Sequence, residues 1–507
     1  MVAAVLRARG HEVSLLRGEA FLRKTTIASD FDACFISGMS MDLRSVSAVA
    51  SAWKRVNPSS PVIAGGPLAL DPVAVFRNSS AIDAIIPGEA ERGLFDALEL
   101  GQSIDLSTSI PAGFVTMDNL DDYRAPTFSS ADWPETDFIE KEIPPAIDLL
   151  SSYDNAWAAK VYIECLRGCS NFTRARVGSH GERACIECGY CDTAGEFSID
   201  HPCPVGTPPG CGFCSVPAVS GPIRSFSEAY IVDQVAKCIE MGCHRVVLGG
   251  SDFMEYQREK LFDPGHTRPI APPPPNHDAI ESLVNRLLEF EAVQTGNVQL
   301  FIENVKASLC DDEAVAAISR LPDISLSVGV ETGADSHLVD IGKATTVEQI
   351  KQAVGLFNKH GVRYHAYFVH SLPGQTPERV HDSMKLIRWL ETERCEKITI
   401  YRFKPLPVST FQGFRVTKQF IDDAQPLIDE AIRVNEENKK HYVSLTCKVL
   451  IAEKDFRDRS AAVAYMLRGG PKVKITGAAS LVNDKKVHVA KITRVISDKM
   501  TEGVLVE

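Results

Sequence analysis

Apolar positions in the first hundred residues follow helical and extended spacings in turn. They predict a helix over Val2–Arg9 and strands over Glu12–Leu16 and Phe31–Ser37. Between the elements lie turns rich in glycine, serine and proline, at Ser37–Ser40, Gly65–Pro67 and Pro87–Glu89. Helices between short apolar strands predict a doubly wound parallel sheet, with ligand at the carboxyl ends of the strands, where these turns lie. The alternative interpretation is that the glycines only make tight turns.

Residue 1 already falls in the first predicted helix, whereas a complete domain of this type opens with a strand. We therefore expect the first strand to be missing and place the domain at residues 1–103. The next stretch, residues 104–159, is rich in proline, aspartate and serine and has no clear periodicity, which predicts a linker.

Residues 160–414 again alternate between short apolar strands and amphipathic helices. The predicted strands are Val161–Glu164, Arg245–Leu248, Leu300–Glu303, Leu326–Val330, Tyr364–Val369 and Lys397–Tyr401. The predicted helices include Ser227–Met241, Asp278–Phe290 and Thr346–Lys359. Six strands with crossover helices predict a full or partial barrel of the TIM type, whose chemistry lies at the carboxyl ends of the strands.

Residues 415–507 change to a pattern of turns and short strands. A polar helix over Lys418–Lys440 precedes predicted strands at Tyr442–Ile451, Lys472–Thr476, Val487–Ile492 and Gly503–Val506. These strands predict a small β-barrel. Basic residues are frequent here, at Lys472, Lys474, Lys485, Lys486, Lys491 and Arg494. An ordinary solvated face is the alternative to a binding surface.

The overall charge narrows the choice of partners. The 507 residues carry a formal net charge of -12, which provides no global attraction for nucleic acid or anionic lipid, so we expect neither as a partner. No apolar run of about eighteen residues occurs, and the first residues lack the layout of an export signal. We therefore expect a cytoplasmic protein in a reducing compartment.

Eight of the fourteen cysteines lie between Cys165 and Cys214, just after the first barrel strand. Such crowding within a long chain indicates a metal cluster, because a disulfide framework spreads its cysteines over a small domain. Three thiolates can hold three irons of a 4Fe-4S cluster and leave the fourth iron open. One candidate triple is Cys203, Cys211 and Cys214, which we favour. Its rival replaces Cys203 with Cys169.

A second group, Cys185, Cys188 and Cys191, has the two-residue spacing of ferredoxin ligands. Its fourth thiolate would come from Cys165 or Cys169, or from Cys203 if Cys169 joins the first group. A structural zinc site is the alternative, because spacing alone does not separate zinc from iron.

The segment Gly210–Arg224, with Phe213 before the last cysteine, resembles the cluster loop of cobalamin-binding radical S-adenosylmethionine (SAM) enzymes. It departs from the common form in having seven residues between Cys203 and Cys211, where three are usual. The resemblance implies further SAM contacts along the barrel. They are Gly249, Gly250, Ser251 and Asp252 for the methionine amino group, Ser327 and Glu331 for ribose and carboxylate, and His370 near the adenine.

The first domain resembles the cobalamin-binding module of the same enzymes. The residues that carry this resemblance are Ser37, Gly38, Met39, Ser40, Gly65, Gly66, Pro67, Gly88 and Glu89. No Asp-x-His-x-x-Gly motif is present, so a histidine ligand below the cobalt is not implied. The terminal barrel weakly resembles the TRAM module of RNA-modifying relatives.

The resemblance implies a C-methyltransferase in which SAM is cleaved to a 5'-deoxyadenosyl radical and methylcobalamin supplies the methyl group. Candidate catalytic residues on late strands are Tyr364, Tyr367, His370 and Tyr401. The segments Glu164–Ser170 and Pro208–Cys214 are similar to the methanogen enzymes that methylate the Cα of a glutamine in the alpha subunit of methyl-coenzyme M reductase. A low-potential electron donor is then a second partner. The alternatives are a tRNA methylthiotransferase and a non-catalytic iron-sulfur or RNA-binding protein.

Overall fold

The computed structural model describes residues 1–98, 106, 110–123, 136–153, 155–171, 173–178, 182, 184–189, 203–261, 273–482 and 484–506. The chain divides into two compact units. Unit 1 comprises Met1–Tyr153 with the short segments Ser215–Gly221 and Leu406–Ser409. Unit 2 comprises Asp154–Cys214, Pro222–Pro405 and Thr410–Glu507.

Unit 1 is built on a three-stranded parallel sheet. Its strands are β1 (Cys34–Ser37), β2 (Val62–Gly65) and β3 (Ala84–Ile85), which lie side by side in that order. The helices are Val2–Ala8, Gly18–Arg23, Leu43–Val56, Pro72–Asn78, Glu91–Ala97, Thr136–Glu142 and Val216–Ser220. The apolar face of Leu43–Val56 packs Trp53 into the core beneath the sheet. The parallel arrangement predicted for this part of the chain is confirmed.

The predicted strand over Glu12–Leu16 is wrong. Its side chains do alternate, with Val13 and Leu15 half-buried and Glu12, Ser14 and Leu16 exposed. However, a strand also needs a hydrogen-bonded neighbour, and residues 11–17 pair with no strand of the described structure. The alternating sequence pattern correctly predicted which side chains are half-buried. It does not indicate whether the backbone forms hydrogen bonds with a neighbouring strand.

Unit 2 contains an open, six-stranded parallel barrel. In sequence order its strands are β4 (Val161–Glu164), β7 (Arg245–Gly249), β8 (Gln299–Val305), β9 (Ser325–Glu331), β10 (Arg363–His370) and β11 (Lys397–Arg402). They lie side by side in that order, from β4 at one edge to β11 at the other. A short antiparallel pair, β5 (Leu166–Arg167) with β6 (Arg224–Ser225), follows β4. All six predicted strands are present, so the partial barrel is confirmed.

Helices connect the barrel strands. They are Glu228–Glu240, His277–Leu287, Glu291–Gln294, Asp312–Ser319, Asp335–Asp340, Val347–His360 and Pro377–Thr392. Local signals mark their ends. Thr346 and Gln349 form a reciprocal capping box, and Gly361 ends the same helix with a φ of 68°. Because all six strands run parallel, the segments that follow them meet at one end of the barrel, here called the barrel rim.

After the helices Lys418–Asp423 and Gln425–Lys440, the end of the chain forms a closed five-stranded barrel. Its strands are β12 (Thr446–Lys454), β13 (Ala462–Met466), β14 (Lys472–Ile475), β15 (Val487–Ser497) and β16 (Met500–Leu505). The small barrel is confirmed, although β13 was not predicted. No helix in the described part of the chain is long and apolar enough to cross a membrane.

Candidate metal centre and active site

The loop that follows β4 places Cys169 at the barrel rim. Gly168, with a φ of 77°, turns the chain, and its carbonyl accepts a hydrogen bond from the hydroxyl of Ser251. Gly250 lies against this loop so closely that a Cβ atom would come within 2.9 Å of Leu166 Cγ. The glycine after β7 therefore lets the first cysteine loop fold directly over the sheet.

Cys169, Cys211 and Cys214 are brought together here. The backbone N–H of Asn171 donates to Cys169 Sγ at 3.4 Å, and its side-chain amide donates to Cys211 Sγ at 3.3 Å. Cys214 N donates to the Cys211 carbonyl at 2.9 Å, and the Cys214 thiol interacts electrostatically with that of Cys169. Gly212 fits between these turns against Phe411, whose Cζ would lie 2.4 Å from an added Cβ.

Cys203, predicted as the third ligand, has other partners. Its thiol accepts hydrogen bonds from Val205 and Thr207 and lies near Arg174. Burial acts to raise the pKa of this thiol, but those donors outweigh it and the pKa is lowered. Arg174 Nε donates to the Thr207 carbonyl at 3.0 Å and so holds this turn. This geometry favours the rival triple, in which Cys169 replaces Cys203.

The three thiols suit a cluster better than a single ion. Among the described residues, no three His, Cys, Asp or Glu side chains converge closely enough to hold one metal ion. A 4Fe-4S cluster requires wider spacing, because each thiolate binds a different iron. Burial raises the pKa of Cys169 to about 12 and also raises that of Cys211, while nearby Lys306 acts in the opposite direction on both. Buried thiolates here therefore need positive charge beside them.

A buried charge cluster supports the Cys169 loop. Glu255, which is fully buried, accepts hydrogen bonds from the backbone and hydroxyl of Ser170 and from the ammonium of Lys306. Arg258, also fully buried, donates to Ser170 Oγ at 3.3 Å and to the Pro273 carbonyl at 2.8 Å. These contacts hold the residue next to Cys169 from two sides. The sequence analysis did not single out Glu255, Arg258 or Lys306.

Asp252, a predicted SAM contact, lies inside this charge cluster. Its Oδ1 accepts the backbone N–H groups of Met254 at 3.1 Å and Lys306 at 3.0 Å. Its Oδ2 is buried, has no hydrogen-bond partner in the described structure, and lies 3.9 Å from Lys306 Nζ. Burial raises the pKa of Asp252 to about 7, with Lys306 opposing the shift. The carboxylate thus shapes the loop after β7.

The two glycines before Asp252 have backbone partners of different kinds. The Gly249 carbonyl accepts the N–H of Cys165 at 2.8 Å, whereas the Gly250 carbonyl accepts from the exposed side chain of Asn304 at 3.0 Å. Asn304 adopts a φ of 64° at the end of β8. Gly250 is therefore the more accessible of the two predicted carbonyl contacts, and Asn304 is a neighbour that the sequence analysis did not identify.

Glu331 and Ser327 lie on β9, on the other side of the three thiols. Lys343 Nζ donates to Glu331 Oε1 at 2.8 Å and interacts with the Cys211 thiol. Gly329 leaves room for this pair, because a Cβ atom there would lie 2.8 Å from Glu331 Oε1. Ser327 Oγ donates to the hydroxyl of Tyr367 at 3.0 Å. A second lysine, also missed by sequence, thus lies beside the predicted metal ligands.

Tyrosines line the inner wall of the barrel around a carboxylate. The Tyr162 hydroxyl donates to Glu303 Oε2 at 2.9 Å, and Lys160 Nζ donates to Glu303 Oε1 at 3.0 Å. Tyr367 and Tyr401 pack edge to face, with ring centroids 5.8 Å apart, and both interact electrostatically with Glu303. Two predicted catalytic residues, Tyr367 and Tyr401, are therefore together. Sequence analysis could have identified Tyr162 and Glu303 from the alternation of side chains along β4 and β8, because every second residue of a strand faces the same side.

Tyr364 and His370 are on the opposite face of β10 from Tyr367. Tyr364 is buried against Phe357, and its hydroxyl donates to the Glu393 carbonyl at 2.8 Å. His370 is also buried, with Nδ1 2.9 Å from Ser371 Oγ, and burial together with Arg402 lowers its pKa. The structure therefore does not bring these two predicted catalytic residues into the tyrosine-lined wall, because residues an odd number apart on a strand face opposite sides.

Part of the second cysteine group is described. Cys185 Sγ accepts the N–H of Glu187 at 3.3 Å, and Cys188 is exposed. Cys191 lies outside the described residues.

Phe213 packs beside the apolar cluster that contains Phe403, Phe411 and Phe414, so its ring supports the loop between Cys211 and Cys214.

The turns that resemble a cobalamin site lie in unit 1, after its strands. Ser37, Met39 and Ser40 are exposed beyond β1, while Gly38 packs against Leu68 and Val46 so tightly that a Cβ would lie within 2.8 Å of both. Gly66, with a φ of 80°, leaves no room for a side chain beside Ser37, and Gly65 faces open space. The other predicted positions, Pro67, Gly88 and Glu89, follow β2 and β3. These turns expose backbone at the carboxyl edge of the sheet.

Comparison with known families identifies one domain of this chain. The model of the radical SAM superfamily matches residues 203–387. This chain contains a radical SAM domain. The domain implies a 4Fe-4S cluster and SAM as cofactors. The matched residues include Cys203, Cys211 and Cys214, and Cys169 precedes them. An uncharacterized protein of Methanopyrus kandleri is 35% identical over 100% of this chain and 91% of the relative.

Other similarities are more distant. An uncharacterized protein of Methanocaldococcus jannaschii is 31% identical over 94% of this chain and 90% of its own. A ribosomal protein uS12 methylthiotransferase of Akkermansia muciniphila is 23% identical over only 38% of this chain and 42% of its own. The fold is shared with the radical SAM methyltransferase TsrM of Kitasatospora setae, whose structure was solved with cobalamin and a 4Fe-4S cluster bound. The TM-score is 0.55 at 13% identity, and the similarity covers 81% of this chain and 73% of TsrM.

Proposed function

We propose that this radical SAM enzyme is a cobalamin-dependent C-methyltransferase that methylates an unactivated carbon of a protein substrate. The observation that carries the proposal is the meeting of Cys169, Cys211 and Cys214 at the barrel rim. Three thiolates leave one iron of a 4Fe-4S cluster free for SAM, whereas an electron carrier uses four. A cluster with that open iron supplies the reductive cleavage of SAM.

The surroundings of the three thiols provide the groups that would hold SAM. The Gly250 carbonyl and the Asn304 side chain would face the methionine amino group. Lys306 and Lys343 supply positive charge near the cysteines, and each is held by a carboxylate, Glu255 and Glu331 respectively. Ordered charges of this kind orient a ligand without further reorganisation of the protein.

Cobalamin would bind at the carboxyl edge of the sheet in unit 1. Ser37, Gly38 and Gly66 make a turn without room for additional side chains, and Gly65 faces open space that a flat macrocycle can approach. Between Met1 and Tyr153 the sequence contains one histidine, His11, which does not belong to an Asp-x-His-x-x-Gly motif. When bound, cobalamin would supply methyl-transfer chemistry. TsrM, which shares the fold, was solved with cobalamin bound.

The proposed substrate is a glutamine residue of the alpha subunit of methyl-coenzyme M reductase, methylated at Cα. Support for this choice comes from the segments Glu164–Ser170 and Pro208–Cys214 of the sequence. The inner wall would receive the substrate, with Tyr401 and Tyr162 as exposed contacts and Glu303 as a hydrogen-bond acceptor. A protein donor of low-potential electrons would reduce the cluster.

The first experiment separates cofactor classes by counting metals. The full-length chain is reconstituted anaerobically with iron, sulfide and hydroxocobalamin, and iron and cobalt are counted per chain. Retained cobalt with a complete cluster supports the proposal. A cluster without retained corrinoid contradicts it and favours the methylthiotransferase alternative.

Cysteine variants then assign the ligands. We expect Cys169→Ala to lose the SAM-cleaving cluster and Cys203→Ala to keep it, as judged by the 5'-deoxyadenosine formed with dithionite. The reverse result would restore Cys203 to the triple. Incubation with a glutamine-containing peptide of methyl-coenzyme M reductase, followed by mass spectrometry, tests the substrate. No methylated peptide from a loaded, SAM-cleaving enzyme would reject that substrate.

A further inference from the structure

Asn171 contacts two of the three proposed cluster ligands at once. Its backbone N–H lies 3.4 Å from Cys169 Sγ, and its side-chain Nδ2 lies 3.3 Å from Cys211 Sγ. The residue is 2% exposed, so no water competes for these donors. One asparagine therefore connects Cys169, after β4, to Cys211, which lies 40 positions beyond the asparagine.

The hydrogen-bond network determines which side-chain atom faces the sulfur. Thr173 donates to Asn171 Oδ1 from its backbone N at 3.1 Å and from its hydroxyl at 2.6 Å. The amide oxygen is thus occupied by two donors, and Nδ2 points to acceptors, which are Cys211 Sγ and the Gly342 carbonyl at 2.9 Å. A flipped amide would leave the Gly342 carbonyl facing an oxygen, so the assignment with nitrogen toward sulfur is required.

Gly342 makes this close approach possible. It has a φ of 72°, and a Cβ atom there would lie 2.7 Å from the backbone N of Ala175 and the carbonyl C of Arg174. Glycine at this position brings its carbonyl to Asn171 and within 2.9 Å of the Thr173 hydroxyl, whose single proton is shared between this carbonyl and Asn171 Oδ1. The asparagine is held by contacts from two separate chain segments.

We propose that Asn171 is a positioning residue that raises the reduction potential of the 4Fe-4S cluster by donating hydrogen bonds to two of its thiolates. This inference rests on the proposed function through its ligand triple. Hydrogen bonds to cluster sulfurs stabilise the more negative, reduced form, since donors interact more strongly with a more electron-rich sulfur. Lys306 and Lys343 act in the same direction through charge, whereas Asn171 donates hydrogen bonds directly to two of the sulfurs.

The test is a redox titration of the reconstituted full-length protein without SAM or substrate, followed by electron paramagnetic resonance. Asn171→Ala removes the side-chain donor and keeps the backbone N–H. Asn171→Asp keeps the shape but replaces the donor with an oxygen and can add a negative charge. Thr173→Val releases the amide without removing it. Asn297→Asp is the matched control, because Asn297 is exposed just before β8, at the end of the strands away from the rim.

We expect the midpoint potential to fall in Asn171→Ala and further in Asn171→Asp, to fall less in Thr173→Val, and to stay at the parent value in Asn297→Asp. Iron per chain and circular dichroism verify that each variant holds its cluster and fold. An unchanged potential in an iron-replete Asn171→Ala variant overturns the proposal. If that variant assembles no cluster, Thr173→Val decides, and a parent-like potential there also overturns it.

The outcome is separable from that of the proposed function. The potential is measured without corrinoid or peptide, so failure to bind cobalamin or to methylate a substrate leaves this inference intact. Retention of the SAM-cleaving cluster in Cys169→Ala would remove Cys169 from the triple and overturn both the ligand assignment and the dual role of Asn171.

Discussion

The hydroxyl of Tyr162 on β4 donates a 2.9 Å hydrogen bond to the carboxylate of Glu303 on β8, across one intervening strand of the barrel wall. Between β4 and β8 lies only β7, whose inward position at this level is Val247. The pair thus presents an exposed phenol beside a carboxylate. Lys160 holds the second carboxylate oxygen at 3.0 Å, so the orientation of Glu303 is set before a substrate arrives.

Glu303→Gln should reduce methylation while leaving the cluster intact. The variant keeps the volume of the side chain but removes the charge that Tyr162 and Lys160 contact, and hydrogen bonds to charged groups contribute about 1.5–3 kcal/mol. We expect product formation to fall by roughly tenfold or more, on the scale of about 1.4 kcal/mol per factor of ten. The measurement is methylated product per hour, with iron content and SAM cleavage recorded in parallel.

Tyr465→Phe is the control for that experiment. Its hydroxyl donates to Glu453 at 3.2 Å, so the same kind of hydrogen bond is lost on the terminal barrel and not at Glu303. Product formation by this variant should match the parent. If Glu303→Gln methylates at the parent rate, the inner wall does not contact the substrate through this carboxylate.

Removing Glu255 should destabilise unit 2 and loosen the Cys169 loop. The carboxylate is fully buried and contacts Lys306, Ser170 and Arg258. Loss of one member leaves buried cations without compensation, and breaking a buried pair costs about 3–5 kcal/mol. We expect Glu255→Ala to show this loss in urea unfolding of the unloaded chain, together with a lower iron content after reconstitution.

An exposed ion pair provides the comparison. Glu281 lies 3.3 Å from Arg320, and both side chains are about half exposed. Because exposed pairs contribute little, Glu281→Ala should leave the unfolding midpoint and the iron content essentially unchanged. Equal behaviour of the two variants would show that the buried charges do not support the loop.

His337 should make the stability of unit 2 depend on pH. Its ring is buried, with Nε2 2.9 Å from the Pro373 carbonyl, and burial lowers its pKa to about 4. The unfolded chain, with a histidine pKa of about 6.5, therefore binds a proton over a range where the folded chain does not. Stability contributed by the neutral ring is complete above about pH 6.5 and is lost as the pH falls toward 4, by about 3 kcal/mol in total.

Urea unfolding of the unloaded chain at several pH values between 7.5 and 5 measures this slope. His337→Gln replaces the ring with a neutral donor and should flatten the slope between pH 6.5 and 5, although its stability at pH 7.5 is lower. An equally steep fall in the variant would assign the acid sensitivity to other groups.

Gly212→Ala should disrupt the cluster loop, whereas Gly355→Ala should be tolerated. An added Cβ at Gly212 would lie 2.4 Å from Phe411 Cζ and 2.8 Å from Ala175 Cβ, between two buried segments. Gly355 lies in the helix Val347–His360 with nothing within 4 Å of an added Cβ. We expect a loss of iron binding and of melting temperature in the first variant.

Gly355→Ala should be more stable than the parent by about 1 kcal/mol, because alanine favours a helix more than glycine does. Thermal unfolding followed by circular dichroism compares the two. Parent-like iron content in Gly212→Ala would show that Phe411 can move aside and that the close packing of the loop is not required.

Much of the architecture could be predicted from the chain. Six short apolar strands separated by amphipathic helices indicated the barrel, and the order of the cysteines after β4 placed the metal ligands at its rim. The signals were local, because a strand's alternation, a capping threonine such as Thr346 or a terminal glycine such as Gly361 acts within a few residues. Where pairing partners matter, local signals were insufficient, as the unpaired segment Glu12–Leu16 and the overlooked strand β13 show.

The composition of the site depended on contacts between distant segments. Sequence proximity favoured Cys203 as a ligand, yet the fold brings Cys169 to Cys211 through Asn171 and turns Cys203 toward Val205 and Thr207. Tyr364 and Tyr367 were both predicted as catalytic residues on the same strand, but of these two tyrosines only Tyr367 faces the inner wall.

By itself, the sequence determined the kinds of elements in this protein and the chemistry of its cysteines, because periodicity and donor type are properties of residues near one another in the chain. Only the tertiary structure decided which cysteines meet, and it alone placed Lys306, Lys343 and Asn171 beside them. These choices depend on loops that converge from different strands, and the free energy that selects them comes from burial and pairing of groups far apart in sequence.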